Sequence, residues 1–217
     1  MGHPIKILML TEKSKRYGRT IEMKRTGLVV LGVVAILVVV ALFVFGSYVT
    51  ARNQMVVKNE EVKQTWSQVD VVMQRRADLI PNLVATVQGF AAHETTVFSD
   101  IANARSALLG ARDPQSKIAA NGQLDGALGR LLAISENYPQ LRSNQNFLQL
   151  QDELAGTENR IAVERRRYNQ ALQDYNTFIG LFPNSIWAGI AGYHRNNAYF
   201  EGTPASQQVP TVNFNGK

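Results

Sequence analysis

Hydrophobic positions along the chain follow two different patterns. From Gly27 to Gly46 the sequence GLVVLGVVAILVVVALFVFG is apolar on every side, 20 residues without a charge. At about 1.5 Å rise per residue, such a run makes roughly 30 Å of helix, the thickness of a bilayer hydrocarbon core. A cleaved signal peptide is the competing reading, but its apolar region spans about 7 to 15 residues and ends in a small-x-small site. The run here is longer, and Val49-Thr50-Ala51 imitates such a site only loosely. The pattern predicts an uncleaved transmembrane helix over 27–49, between an N-terminal segment 1–26 and a domain starting at residue 50.

Beyond the span the apolar residues keep to one helical stripe. Steps of four and three from Val62 give Val62, Trp66, Val69, Met73, Arg76, Ile80, Leu83, Val87, Phe90, Glu94, Val97, Ile101, Ala104 and Leu108, and 12 of these 14 positions are apolar. This heptad seam predicts one helix of up to about 60 residues, from the membrane exit to near Gly110. The breakers in LGARDPQSK follow. A shorter helix fits Gln123 to Tyr138, with Leu124, Leu128, Leu131 and Ile134 inward and Pro139 closing it. A third starts at Ser143 or Asn144, either of which can cap it. Its seam is Phe147, Leu150, Leu154, Thr157, Ile161, Glu164, Tyr168, Ala171, Tyr175, Phe178 and Phe182, and Pro183 ends it. No strand pattern of useful length appears. The fold class is therefore all-α: an N-terminal transmembrane helix followed by an elongated up-and-down bundle over 50–201, with a tail over 202–217. The bundle has three long helices, or four if the first breaks or the segment after 183 adds one.

The exceptions in the seams carry the polar chemistry. Arg76, Glu94, Thr157 and Glu164 occupy core positions, where an unpaired charge would cost several kcal/mol. Arg76 paired with Glu164 or Glu158, and Glu94 paired with Arg160 or Arg165, would satisfy them and fix the register. Pro81 removes one helical hydrogen bond and is expected to bend the first helix beside this layer. A buried register-setting network is one reading of these residues, and a ligand or partner site is the other.

Charge changes the picture by its location. The net charge is +6, but residues 1–50 hold seven bases and two acids, which leaves 16 bases against 15 acids in the rest. The basic excess belongs to the anchor, so no nucleic-acid partner is expected, and Arg165-Arg166-Arg167 reads as a solvated helix face. Seven cations precede the span, whereas the 20 residues after Gly46 contain Arg52, Lys58 and Lys63 alone. By the positive-inside rule the N-terminus stays in the cytoplasm and the bundle faces the periplasm or cell exterior.

Catalytic constellations are hard to assemble from this composition. The chain has no cysteine and three histidines, His3, His93 and His194, so a thiolate zinc site or cysteine nucleophile is excluded. HETTV puts valine where a zinc-protease helix needs its second histidine. No G-x-S-x-G turn or phosphate-cradling glycine loop occurs. The expectation is a non-enzyme with no catalytic residues, no metal site and no cofactor.

Three stretches resemble the LemA family of bacterial membrane-anchored proteins: WSQVDVVMQRRADLIPNLVATVQGFAAHE (66–94), ALGRLLAISENYPQLRSNQNFLQLQDELAGTENRIAVERRRYNQALQDYNTFIGLFPN (127–184) and YFE (199–201). The likeness covers nearly everything after residue 50. It implies a helical bundle on one N-terminal transmembrane helix, with no established enzymatic activity. It also implies a signature on Arg75, Arg76, Asp78, Pro81, Asn82, His93 and Glu94, and on Glu158, Asn159, Arg160, Tyr168, Asn169, Tyr175 and Asn176. Relatives in the family are connected with envelope stress, membrane proteases and magnetosome membranes.

The C-terminal stretch LFPNSIWAGIAGYHRNNAYFE adds aromatic and apolar area with few charges. Ile186, Trp187, Ile190 and Tyr193 are candidate interface residues: against the same bundle, a second chain, or the headgroup zone of a membrane. Two function classes follow. One is a non-catalytic scaffold or adaptor of the inner membrane that forms a homo-oligomer or recruits a membrane-protein partner. The other is a ligand-binding or regulatory domain using the layer around Arg76 and Glu94, such as an accessory to a membrane protease or a membrane-remodelling factor.

Overall fold

The computed structural model describes residues 5–201, with side chains from Gly27 onward. The expected tail 202–217 lies outside the described residues, as do the side chains of the basic segment 1–26. Six helices follow one another: α1 (Ile5–Gln88), α2 (Thr95–Gly110), α3 (Pro114–Ser135), α4 (Pro139–Arg142), α5 (Gln145–Gly180) and α6 (Asn184–Ala191). No strand occurs among the described residues. The chain divides into two compact units, one ending at Asn53 and the other starting at Gln54.

In the first unit the apolar run is part of α1, and its side chains, Leu31 and Phe43 among them, are exposed. Among the described residues this is one helix long and apolar enough to cross a membrane.

The second unit is a four-helix bundle, because the first helix breaks. The expected continuous helix to Gly110 is corrected here: α1 ends at Gln88 and α2 starts at Thr95. The amides of Phe90 and Ala91 both bond back to the Val87 carbonyl, at 3.0 and 2.9 Å. Helical stacking thus stops at Gly89, whose backbone loses most freedom when held in a helix. The break has a packing cause. The seam from Val62 to Leu108 covers 47 residues, so at about 1.5 Å per residue its far end would outrun the 36-residue α5. Folding α2 back instead buries Phe98, Ile101, Ala104 and Leu108. The seam keeps its phase across the turn, while Phe90 falls outside it and is exposed.

Cross-helix contacts set the directions. Lys117 pairs with Asp70 and Asp125 with Arg76, so α3 runs parallel to α1. Glu153 approaches Arg75 and Tyr168 packs on Trp66, so α5 runs antiparallel to α1. Arg130 meets Asp100, so α3 is antiparallel to α2. The order is up, down, up, down, with Val69, Met73, Ile80, Leu83, Leu124, Leu131, Ile161 and Leu172 nearly solvent-free at the centre.

Local signals explain the ends. The second expected helix, Gln123 to Tyr138, is corrected to Pro114–Ser135. Asp113 accepts from the Ser116 amide at 2.9 Å and from its hydroxyl at 2.6 Å, and Pro114 stands at the first helical position, where a missing N–H costs nothing. The same two Ser116 contacts, side chain first, hold the Asp113 carboxyl below its usual range. Asn144 caps α5 as expected, accepting from the Phe147 amide at 3.1 Å. The α5 seam is corrected at its end: the helix stops at Gly180, and Phe182 is 82% exposed rather than inward.

Candidate functional site

Arg76 is the buried charge of the bundle. Its side chain is 8% exposed, and Nη1 donates to Asp125 Oδ1 at 2.5 Å and to Glu158 Oε2 at 2.6 Å. Asn121 supports the arrangement: its oxygen lies 3.5 Å from Arg76 Nη1, and its amide donates to Asp125 Oδ2 at 3.0 Å. Arg165 closes the group, 3.9 Å from both Asp125 and Glu158. Two guanidinium groups and two carboxylates from α1, α3 and α5 thus form a formally neutral quartet. Among the described residues, Nε of Arg76 and Nε of Arg165 have no hydrogen-bond partner. A cavity of about 240 Å³ adjoins Arg76 and Glu158, walled by Leu83, Leu128, Leu132 and Leu154.

Pro81 does not end α1; it serves a contact between helices. Proline has no N–H to give the carbonyl four residues back, which is that of Ala77. Arg105 of α2 supplies the missing donor, its Nε lying 2.8 Å from the Ala77 oxygen. Pro81 therefore leaves a carbonyl free, and that acceptor pins the returning helix. Arg105→Met is expected to cost about 2 kcal/mol, the range for a hydrogen bond from a charged donor. In a Pro81→Ala background the helix makes its own bond, and the same change should cost about half as much. A double-mutant cycle in urea checks this, and equal costs in both backgrounds would refute the pairing.

A second cluster binds the segment after α6. Gly192, with φ of 76°, ends α6 in the left-handed region, where glycine carries no Cβ penalty. The chain then returns along α5. Asn176 donates to the Asn196 carbonyl at 2.6 Å and accepts from the Asn196 amide at 3.0 Å. Asn169 does the same with Phe200, at 2.8 and 3.0 Å. The Tyr175 hydroxyl donates to the His194 carbonyl at 3.0 Å, and the Asn176 amide reaches the Tyr199 oxygen at 2.9 Å. Two asparagines seven residues apart thus stand in for a neighbouring strand. The Phe200 ring lies 6.1 Å from Trp66 and 5.9 Å from Tyr168, and the Arg165 guanidinium sits 5.0 Å above it. Arg165 therefore joins the two clusters. Burial, and then the neighbouring Tyr199 phenol, pushes the Tyr168 hydroxyl up to about 12. Burial raises Tyr175 as well.

The expected polar layer is thus two places. Arg76 and Glu158 meet as one of the two expected pairings. The others are corrected. Glu94 lies at the start of α2 and accepts from the Tyr138 hydroxyl at 3.3 Å, because the turn after Gln88 carries it to the end of the bundle opposite Arg165. Glu164 pairs with Arg167 on its own helix at 2.9 Å. Thr157 is satisfied by the Leu154 carbonyl at 2.7 Å. Arg75, Asp78, Pro81, Asn82, His93, Asn159 and Arg160 are exposed. Tyr168, Asn169, Tyr175 and Asn176 belong to the second cluster. Asn121, Asp125 and Arg105 were missed; Asn121 and Asp125 share a face at four-residue spacing, a signal visible once Asp113-Pro114 is read as a helix start. Of the candidate interface, Ile186 and Ile190 are 51 and 66% exposed, while Trp187 and Tyr193 are half-buried.

Chemically, the quartet holds its charges against one another rather than presenting them. No group of three or more metal-ligating side chains is assembled among the described residues, and His93 and His194 are exposed on the surface.

Comparison with known proteins places both clusters inside a recognised region. The family model described as the LemA family matches residues 65–214. The chain is similar to the magnetosome proteins MamQ 1 and MamQ 2 of Paramagnetospirillum magneticum, each 30% identical over 201 residues, covering 81% of this chain and 73% of the relative. It is also similar to Protein LemA of Metamycoplasma hominis, 26% identical over 136 residues and covering 62% of each chain.

Proposed function

The chain belongs to the LemA family, and from that premise we propose that it is a membrane-anchored, non-catalytic scaffold or adaptor of the bacterial cell envelope. One observation carries the reading: the buried charge of the bundle is paired within its own chain, Arg76 with Asp125 and Glu158. A site built to bind or transform a charged ligand would leave charge unpaired toward its cleft, whereas the cavity beside Arg76 and Glu158 is walled mainly by leucines. A neutralised quartet instead fixes the register of α1, α3 and α5 and gives a rigid body with no reactive constellation. The likeness to magnetosome proteins supports work at a membrane.

In this reading residues 27–46 span the inner membrane and the bundle stands outside the cytoplasm, as the seven-to-three cation asymmetry about the span favours. A reporter active only outside the cytoplasm, fused to Lys217, is expected to be active. A silent but stable membrane-bound fusion would reverse the orientation. The scaffold also self-associates, through the exposed side of the bundle, where Val71 stands 62% exposed on α1. Light scattering on the full-length protein, corrected for bound detergent, should return a multiple of the chain mass. A monomer at micromolar concentration would remove self-association and leave an adaptor for a different membrane protein.

A further inference from the structure

The corner joining α5 to α6 carries four exposed large apolar side chains within ten residues. Leu181 is 58% exposed, Phe182 82%, Ile186 51% and Ile190 66%. Residues 181–193, LFPNSIWAGIAGY, contain no charged side chain. A contiguous apolar surface on a folded unit marks a contact, and here the topology says with what. Because α5 is antiparallel to α1, its last turn lies at the end of the bundle where α1 enters. The Lys58 ammonium sits 5.8 Å from the Phe178 ring, and Phe182 follows two residues after α5 stops at Gly180.

We propose that this corner lies in the interfacial zone of the membrane, with Phe182, Ile186 and Ile190 among the lipid headgroups and upper acyl chains. The proposal rests on the reading of 27–46 as a membrane span. Eight residue steps separate Gly46 from Gln54, about 12 Å of helix and no more than roughly 28 Å of extended chain. The covalent tether therefore keeps this end of the bundle within reach of the bilayer surface. A short uncharged helix with isoleucines on its outer side and a tryptophan and tyrosine beside them has the composition of an interfacial element, which sinks about 5 to 10 Å into the headgroup boundary. Lys58, next to the corner, supplies a cation for anionic headgroups.

The absence of native cysteine makes site-specific spin labelling direct. Phe182→Cys, Ile190→Cys, Leu148→Cys and Ile36→Cys are made in the full-length chain, labelled, and placed one chain per nanodisc in phosphatidylcholine with phosphatidylglycerol. One chain per disc prevents a second copy from covering the patch. Collision rates with oxygen, which concentrates in lipid, and with a water-soluble nickel chelate are then compared. The expected result is an oxygen-to-nickel ratio several-fold higher at 182 and 190 than at Leu148, which is exposed at the far end of α5. Free access of nickel at 182 and 190 would overturn the proposal, and so would low access to both reagents, the sign of cover by protein. Ile36 separates the two readings. If it reports membrane depth while 182 and 190 do not, only the corner is wrong. If Ile36 is itself open to nickel, the span fails and the corner with it.

Discussion

Arg76→Ala is expected to destabilise the bundle by about 3 kcal/mol, the lower end of the range for breaking a buried ion pair. The lower end applies because the partners Asp125 and Glu158 are themselves 38 and 40% exposed, so water softens the penalty on the carboxylates left behind. Those two carboxylates would face each other across the space vacated by the guanidinium, with Arg165 at 3.9 Å as their remaining cation. Loss of charge alone should matter less than loss of balance. The double variant Arg76→Met, Asp125→Asn leaves Glu158 with Arg165, again formally neutral, and is expected to cost less than Arg76→Ala by itself. Urea unfolding followed by near-ultraviolet circular dichroism distinguishes the cases. A change under about 1 kcal/mol for Arg76→Ala, the range of surface pairs, would mean that the quartet is solvated and its structural role small.

The quartet also shows what the sequence could and could not reveal. A charge at a seam position demands a partner, so Arg76 and its need were legible from periodicity alone, and Glu158 followed as a candidate. Asp125 was not: it lies within the expected helix but one position past the seam residue Leu124, and its partner Asn121 falls before the expected start, whereas Asp113-Pro114 is a cap and the helix begins there. The break at Gly89 was hidden for the opposite reason. The seam keeps its phase through the turn, Ile101, Ala104 and Leu108 remaining inward, so periodicity reports one helix where there are two. The bend expected at Pro81 took account only of its missing N–H; that the freed Ala77 carbonyl accepts from Arg105, 24 positions beyond the proline on the returning helix, could not be foreseen. The pairing of Asn169 and Asn176 with residues 196 and 200 leaves still less trace. A segment without helical or alternating pattern gives no hint of what it lies against, and only the inward placement of two amides on α5 pointed there.

Removing both of those amides, Asn169→Ala with Asn176→Ala, is expected to release residues 194–200 from the bundle while leaving the four helices folded. The segment makes no helix or sheet of its own, so its backbone depends on side chains for partners. Asn176, 3% exposed, and Asn169 each receive one N–H and return one to a carbonyl, four bonds in all. At about 1 kcal/mol net for each bond, the segment would lose roughly 4 kcal/mol of local stability, which corresponds to a nearly thousandfold larger equilibrium constant for opening. Hydrogen exchange reads this directly: the amides of Asn196 and Phe200 should exchange about as fast as free chain, and Phe200 should leave the ring contacts it makes with Trp66 and Tyr168. Asn176→Asp gives a graded test. A carboxylate still accepts from the Asn196 amide but cannot donate to its carbonyl, so protection at Asn196 should fall between the parent and Asn176→Ala. If Asn196 and Phe200 keep their protection in the double variant, aromatic packing around Phe200 alone holds the segment, and the asparagines are satisfied by it rather than securing it.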